Sequence, residues 1–288
     1  MKKIIDYLKE ARNEKRAIGH FNISEIAGLK AIAGAARALS GKGAIFVGLS
    51  EGERNFLGVR QAAALVKSLR EETGLPLFLN ADHTHSLKGA VEAAKAGFDA
   101  ILFDAGNFPL EENIRLTQKA VTEIKAINPE ILVEGELGKI PGGSEVLKDE
   151  VAVEIGEMAR PEEAEIFVRE TGIDLLAPAI GNVHGVFASG KEPFIDLERI
   201  AAIAAKIKIP LVLHGASGLT KETLSRAITA GISIVHINTE LRLVWRRGLE
   251  DSLTEFPDEV APYKLLAKSV EGIEEKIVRY LEIFNPTA

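Results

Sequence analysis

The stretch Leu77–Ser86 reads LFLNADHTHS, an apolar run that ends in Asp82, His83 and His85. A carboxylate beside an imidazole at the wet end of an apolar segment is the material of a metal site or a proton-transfer pair. The chain has six histidines and no cysteine, and His20, His83, His184, His214 and His236 all stand at or just past the end of an apolar segment. One histidine in such a place is commonly a hydrogen-bonded structural group. Three from separate segments, with no thiolate competing, suit a catalytic zinc site, which takes about three His or carboxylate ligands and keeps a position open. His83, His184 and His214 are the candidate ligands. Asp82 is too close to them to be idle, yet neighbouring strand residues point to opposite faces, so both serve one site only if the chain turns within DHTHS. The other polar residues at segment ends are Asn22, Ser50, Asp104, Glu134, Glu136 and Asn238.

Glycines make a second constellation. GNVHGVFASG and HGASG place Gly181, Gly185, Gly215 and Gly218 beside the candidate ligands, and Asn238-Thr239-Glu240 follows the last apolar segment. Glycine turns expose backbone N–H groups that cradle anions. Alone, each is also compatible with a plain tight turn. Joined to the metal cluster, they imply a small phosphorylated substrate whose other end reaches the metal.

The elements that must position these groups recur with an eightfold rhythm: residues 17–22, 43–50, 75–83, 100–106, 130–138, 174–181, 209–217 and 232–239. Near-continuous hydrophobicity predicts parallel strands buried on both faces. The alanine-rich text between them, such as LKGAVEAAKAG and LERIAAIAAKI, predicts helices, with Gly74, Gly97, Gly172 and Gly231 as their C-caps. The expectation is an α/β fold, a (β/α)8 TIM barrel formed by one domain over residues 1–288. An open doubly wound sheet is the competitor, but Gly-x-Gly-x-x-Gly is missing after the first strand. Residues 138–163 are expected as a long lid loop after strand five, the first seventeen residues as a surface helix, and the last forty as a helical extension over a barrel end or a partner subunit. In a barrel the polar residues would meet at one rim, where catalytic groups congregate.

The net charge is −7, and no basic run carries interleaved aromatics, which excludes nucleic acid as a partner. No apolar run approaches the ~20 residues that span a membrane. The lack of cysteine points to a reducing compartment, hence the cytoplasm.

The motifs GHFN (19–22), ADH (81–83), FDAGNFPLEENI (103–114), EGELG (134–138), AIGNVHG (179–185), LVLHGASG (211–218) and NTELR (238–242) resemble the class II, metal-dependent ketose-bisphosphate aldolases, in the family's order and over about four fifths of the chain. The resemblance implies a TIM barrel, Zn2+ on His83, His184 and His214, and a catalytic role for Asp82. It implies that Asp104, Glu134 and Glu136 lie around the metal, Glu136 as an occasional ligand. Gly185, Gly215 and Ser217 fall where the family grips the ketose phosphate and a monovalent cation, Na+ or K+. Asn22, Ser50, His236, Asn238 and Thr239 join them as substrate-binding residues. Glu145 falls in the lid where the family carries a proton-moving glutamate, with Glu150 as a substitute. Three departures stand out: His236 where the family usually has asparagine, Asn238 where familiar subfamilies have aspartate or alanine, and a lid reading SEVLKDEVAVEIGEMA.

The implied reaction is reversible cleavage of fructose 1,6-bisphosphate, or its tagatose epimer or another phosphorylated ketose, by a homodimer or homotetramer. A lysine Schiff base is not expected, because Lys139 and Lys191 read as surface charges. A three-histidine hydrolase or epimerase is disfavoured because the one close pair, His83-Thr84-His85, belongs to the third strand rather than the first. A non-catalytic phosphosugar-binding barrel would not need Asp82 with all three ligands. Arg242, Arg246 and Arg247 read as a helix C-terminus or a solvated face rather than as a second phosphate site.

Overall fold

The computed structural model describes residues 2–38, 43–151, 153 and 155–286. Its strands are β1 (Ile18–Asn22), β2 (Ile45–Leu49), β3 (Leu77–Thr84), β4 (Ala100–Phe103), β5 (Leu132–Leu137), β6 (Gly142–Leu147), β7 (Leu175–Pro178), β8 (His184–Phe187), β9 (Leu211–Leu213) and β10 (Ile232–Ile237). The helices are α1 (Ile4–Asn13), α2 (Ile26–Ala38), α3 (Glu51–Leu57), α4 (Val59–Thr73), α5 (Leu87–Ala96), α6 (Leu110–Ile127), α7 (Pro161–Thr171), α8 (Leu197–Lys206), α9 (Lys221–Ala230), α10 (Thr239–Glu255), α11 (Pro262–Leu265) and α12 (Ala267–Phe284). All eight predicted segments supply barrel strands, closed in the order β1-β2-β3-β4-β5-β7-β9-β10 and back to β1. Every pairing is parallel. Gly74, Gly97, Gly172 and Gly231 end α4, α5, α7 and α9 with positive φ.

The period of two along each strand sorts its residues into two cores. One set, including Phe21, Val47, Leu79, Ile101, Val133, Leu176, Leu213 and Val235, packs outward against the helices. The alternate set points inward. At the strand starts it is apolar: Ile18, Phe46, Phe78, Ala100, Leu132, Leu175, Val212 and Ile234 form one cluster. That cluster includes Ile4, Leu8 and Ala11 of α1. The first helix is therefore more than a surface helix, because its apolar face plugs the bottom of the barrel. Fully burying a leucine such as Leu8 is worth about 1.5–3 kcal/mol.

Two further expectations change. The lid is not wholly a loop, since β6 forms within it and pairs in parallel with β8 above the barrel. Ala152 and Glu154 of that segment lie outside the described residues. The C-terminal extension is helical as expected, but α12 covers the side of the barrel rather than its end, packing on α2, α10 and β1. It buries Ile273, Ile277, Tyr280, Leu281 and Phe284, and Ala17 N–H donates to Phe284 O at 3.0 Å. It thus completes the outer ring where the last barrel strand meets the first.

Candidate active site

Further up several strands the inward residues turn from apolar to polar. In β1 the series runs Ile18, His20, Asn22, in β3 Phe78, Asn80, Asp82, and in β10 Ile234, His236, Asn238. These groups meet beneath the C-terminal rim around a cavity of about 260 Å³, lined among others by Asn22, Ser50, Asp82, His83, Asp104, Glu136, His184, Gly185, His214, Gly215, Ser217, His236, Asn238 and Thr239. Glu134 lies just below, behind His214. The structure brings the predicted ligands, carboxylates and substrate-binding residues together there, but not Glu145, Gly181 or Gly218.

The turn required within DHTHS is present. The pairing of β3 with β4 shifts register between Ala81 and Thr84, and His83 has a φ of 38°. A non-glycine residue in the left-handed region costs of order 1–3 kcal/mol and persists only where its surroundings hold it. Arg54 of α3 supplies that hold. Its guanidinium is buried and donates to Asp82 O at 2.8 Å, to Thr84 Oγ1 at 3.0 Å and to Leu49 O. Both sides of the strained residue are thereby clamped, and Asp82 and His83 face the same cavity. Sequence reasoning missed Arg54, whose only signal was an arginine one step after the Ser50–Glu53 capping box.

Ring nitrogens of His83, His184 and His214 lie within 4.8 Å of one another. The ring centroids are 4.8, 4.9 and 5.8 Å apart, with the planes steeply inclined. Asp104 Oδ2 lies 2.8 Å from His83 Nδ1, and Glu134 Oε1 lies 2.8 Å from His214 Nε2. A carboxylate behind a metal-binding imidazole fixes its orientation and leaves the other nitrogen for the ion. Glu136 Oε2 is buried and has no hydrogen-bond partner among the described residues. Three convergent imidazoles and this free carboxylate oxygen fit a divalent cation of the zinc type. Burial, then the nearby Asp104, raises the Glu136 carboxyl well above its usual range. Burial lowers His83, but Asp82, Asp104 and Glu136 overcome it and raise the imidazole to about 10. Burial and the charge of His83 push His184 well down.

Asp82 sits at the edge of this cluster. Its Oδ2 accepts from Asn22 Nδ2 at 2.9 Å, while Oδ1 has no hydrogen-bond partner among the described residues. Burial favours its neutral form, but His83 and His236 hold it well below the usual carboxylate range. His236 Nδ1 lies 3.5 Å from Asp82 Oδ1. The His236 ring stacks on His20 with centroids 3.4 Å apart and planes 1° from parallel. That stack follows from register, because His20 and His236 are paired neighbours in β1 and β10. Gly48 makes the space, since a Cβ there would stand 2.0 Å from His20 Cε1.

Of the glycines expected to cradle an anion, Gly185 and Gly215 line the cavity together with Ser217 and Thr239, whereas Gly181 and Gly218 do not. Gly215 has a φ of 63°, and a Cβ on it would stand 2.3 Å from Val183 O. Thr239 opens α10, so backbone N–H groups and the positive end of a helix face this side of the cavity. Ser217 Oγ accepts from the N–H groups of Asn238 and Glu240 at 3.3 and 3.4 Å.

The lid strand closes the remaining side, with Gly142, Gly143 and Ser144 lining the cavity. Asn238 Nδ2 donates to Ser144 Oγ at 3.2 Å. Glu145 is exposed and does not line the cavity. Glu150 is occupied on the surface by Lys191 at 2.8 Å, consistent with Lys191 being no Schiff-base residue. Arg242 corrects the reading of the basic patch, because it stands in the first turn of α10, not at a helix C-terminus. It bonds Glu53 and the lid, whereas Arg246 pairs with Glu250 on the helix surface.

A parallel barrel carrying three convergent histidines, a carboxylate and an anion cradle at its C-terminal rim defines a metal-dependent enzyme for small phosphorylated substrates. More specifically, the chain belongs to the class II fructose-bisphosphate aldolase family, whose model matches residues 2–287. It is 34% identical over 284 residues to the fructose-bisphosphate aldolase of Geobacillus stearothermophilus, covering 97% of this chain and 95% of that one. It is also 34% identical over 281 residues to the 6-phospho-5-dehydro-2-deoxy-D-gluconate aldolase of Shouchella clausii (strain KSM-K16), covering 96% and 92%. The YdjI aldolase of Escherichia coli K12 superposes with a TM-score of 0.82 at 28% identity, covering 99% of this chain and 98% of that one. The protein is thus a lyase that cleaves a phosphorylated sugar by metal-dependent aldol chemistry. Among the described residues no helix is long and apolar enough to cross a membrane.

Proposed function

We propose that the protein catalyses reversible aldol cleavage of a ketose 1,6-bisphosphate, first of all fructose 1,6-bisphosphate, to dihydroxyacetone phosphate and glyceraldehyde 3-phosphate. The observation that carries this reading is the convergence of His83, His184 and His214, Asp82 and the anion cradle on one cavity. Zn2+ held by the three histidines supplies Lewis acidity that favours negative charge on the ketose fragment. The ketose phosphate lies on the backbone of Gly185, Gly215 and Ser217 and the first turn of α10, with Na+ or K+ as companion cation. Asn22, Ser50, His236, Asn238 and Thr239 bind hydroxyl and phosphate oxygens.

In cleavage, Asp82 takes the proton of the C4 hydroxyl. The C3–C4 bond breaks, its electron pair stays on the three-carbon fragment, and C4 leaves as an aldehyde. Asp82 returns the proton in the reverse direction. The free Oδ1 of Asp82 is the atom available for this transfer, and it must come within about 2.6–3.2 Å of the hydroxyl. Glu145 exchanges the C3 proton, which requires its side chain to turn from solvent into the cavity as the lid closes.

The relatives divide between two named substrates, and His236 stands where the resemblance expects asparagine. A direct test offers dihydroxyacetone phosphate with a panel of aldehydes and analyses product configuration, with 6-phospho-5-dehydro-2-deoxy-D-gluconate cleavage assayed alongside. Glyceraldehyde 3-phosphate giving the fructose configuration is the expected result, and the tagatose configuration would promote the epimer. Failure of the zinc-loaded protein to consume dihydroxyacetone phosphate with any aldehyde would overturn the reaction. We further read the protein as a cytoplasmic homodimer or homotetramer, a state that light scattering on the purified protein decides.

A further inference from the structure

Asp82 does not stand alone. Asn22 Nδ2 has two N–H groups and spends both on carboxylates, one on Asp82 Oδ2 and one on Glu53 Oε2, each at 2.9 Å. Glu53 is 5% exposed. Its Oε2 also accepts from Ser50 N–H at 2.7 Å and Ser50 Oγ at 2.9 Å, and its Oε1 accepts from Arg242 Nη2 at 2.6 Å. Arg242 Nη1 donates in turn to Ser144 O of the lid strand at 3.0 Å. A continuous path therefore runs from lid to Arg242, Glu53, Asn22 and Asp82.

The chemistry of this path is directional. An ionised carboxylate only accepts, so Glu53 obliges Asn22 to present its nitrogen rather than its oxygen. The second N–H then falls to Asp82, and Asn22 Oδ1, which has no hydrogen-bond partner among the described residues, is left for the cavity. Asp82 makes the same demand, so the two carboxylates together fix the amide, and without Glu53 the Asn22 side chain is anchored at Asp82 alone and is free to swing. A buried carboxylate is itself tolerable only when paired, and Arg242 provides the pairing from a residue that also holds the lid. We propose that Glu53 and Arg242 are positioning residues that orient Asn22, and through it Asp82, and couple that orientation to the lid strand. The inference rests on Asp82 being the proton-transfer group.

The test uses the full zinc-loaded chain and three readouts: condensation of dihydroxyacetone phosphate with glyceraldehyde 3-phosphate, deuterium exchange at C3 of dihydroxyacetone phosphate, and bound zinc. Exchange does not need Asp82, so it separates aim from fold. Glu53→Gln should lower condensation kcat by roughly 10–100-fold, the scale of a misplaced reacting group. Exchange, the KM for dihydroxyacetone phosphate and zinc content should stay within about threefold of the parent. In an Asn22→Ala background Glu53→Gln should add no further loss, because both act through one oxygen of Asp82. Arg242→Ala should lower both condensation and exchange with zinc retained, and Arg242→Lys should recover most of the loss. Independent losses for Asn22 and Glu53, equal loss of condensation and exchange in Glu53→Gln, or indifference to Arg242→Ala would overturn the proposal. Should Glu53→Gln not fold, the Arg242 pair, on a partly exposed side chain, decides the matter. A parent protein that neither condenses nor exchanges would instead overturn the reaction reading itself.

Discussion

The two halves of the barrel interior are built from the same strands with the same period, yet they do opposite work. In the lower half, Ile18, Phe46, Phe78, Leu132, Leu175, Val212 and Ile234 fill the barrel with apolar volume, and α1 seals it. In the upper half the inward positions carry His20, Asp82, Glu136 and His236, and each keeps at least one buried polar atom without a hydrogen-bond partner among the described residues. An unsatisfied buried polar atom costs about 1–3 kcal/mol until something meets it. The comparison shows a division of labour. The lower half supplies cohesion, and the upper half holds polar atoms ready for a cation and a substrate.

The largest expected effect would come from breaking the upper half at its centre. Replacing His83, His184 or His214 with alanine should remove bound metal and turnover together, and chelation of the parent should do the same reversibly. Metal analysis alongside activity checks this, and retained metal with lost turnover would give that histidine another role. Next in size, Asp82→Asn should keep metal and ketose phosphate binding while lowering turnover by ~10²–10⁴-fold, the usual worth of a general acid–base group. Near-parental turnover would take Asp82 out of the mechanism.

The converse experiment breaks the lower half. Leu8→Ala should destabilise the fold by about 2–5 kcal/mol, as large-to-small core changes do. At a temperature where the variant is folded, kcat should hardly change. A denaturant melt paired with steady-state kinetics tests both statements, and a kcat loss at full folding would mean that the two halves are not independent.

A smaller effect sharpens the electrostatic side of the comparison. In the metal-free protein, burial lowers the pKa of His83, but Asp82, Asp104 and Glu136 prevail and raise it to about 10. His184, His214 and His85 are the other ionisable groups near that ring. A metal takes the neutral imidazole, so binding at neutral pH must expel the proton. Zinc affinity should therefore weaken by up to ~tenfold for each pH unit lost below about 10, with at least one proton released per ion. Titration calorimetry in buffers of different ionisation enthalpy measures that release, and zinc binding without a proton would contradict the charge state assigned to His83.

Much of this molecule was legible in the chain because the information is local. Eight runs of continuous apolar text, ending in polar residues, specify parallel strands with one chemical rim, and GNVHG and HGASG carry ligands and cradle within a few residues of each other. Even the break in strand three was readable, because Asp82 and His83 cannot both face one site on a regular strand.

What remained hidden depends on which distant residues the closed barrel brings together. The pairing of β1 with β10 lays His236 flat on His20. Barrel closure also brings Arg242 to Glu53, 189 positions away in sequence. The braces Arg54 and Glu53 look in the sequence like ordinary charges on a short helix, and α1 like an ordinary amphipathic surface helix. Residue type and spacing therefore determined the fold class and the histidine cluster with its neighbouring carboxylates, and the family resemblance implied the rest of the candidate site. Tertiary structure decided which of those groups support one another, because the register and burial that aim a side chain are set by neighbours far away in the chain.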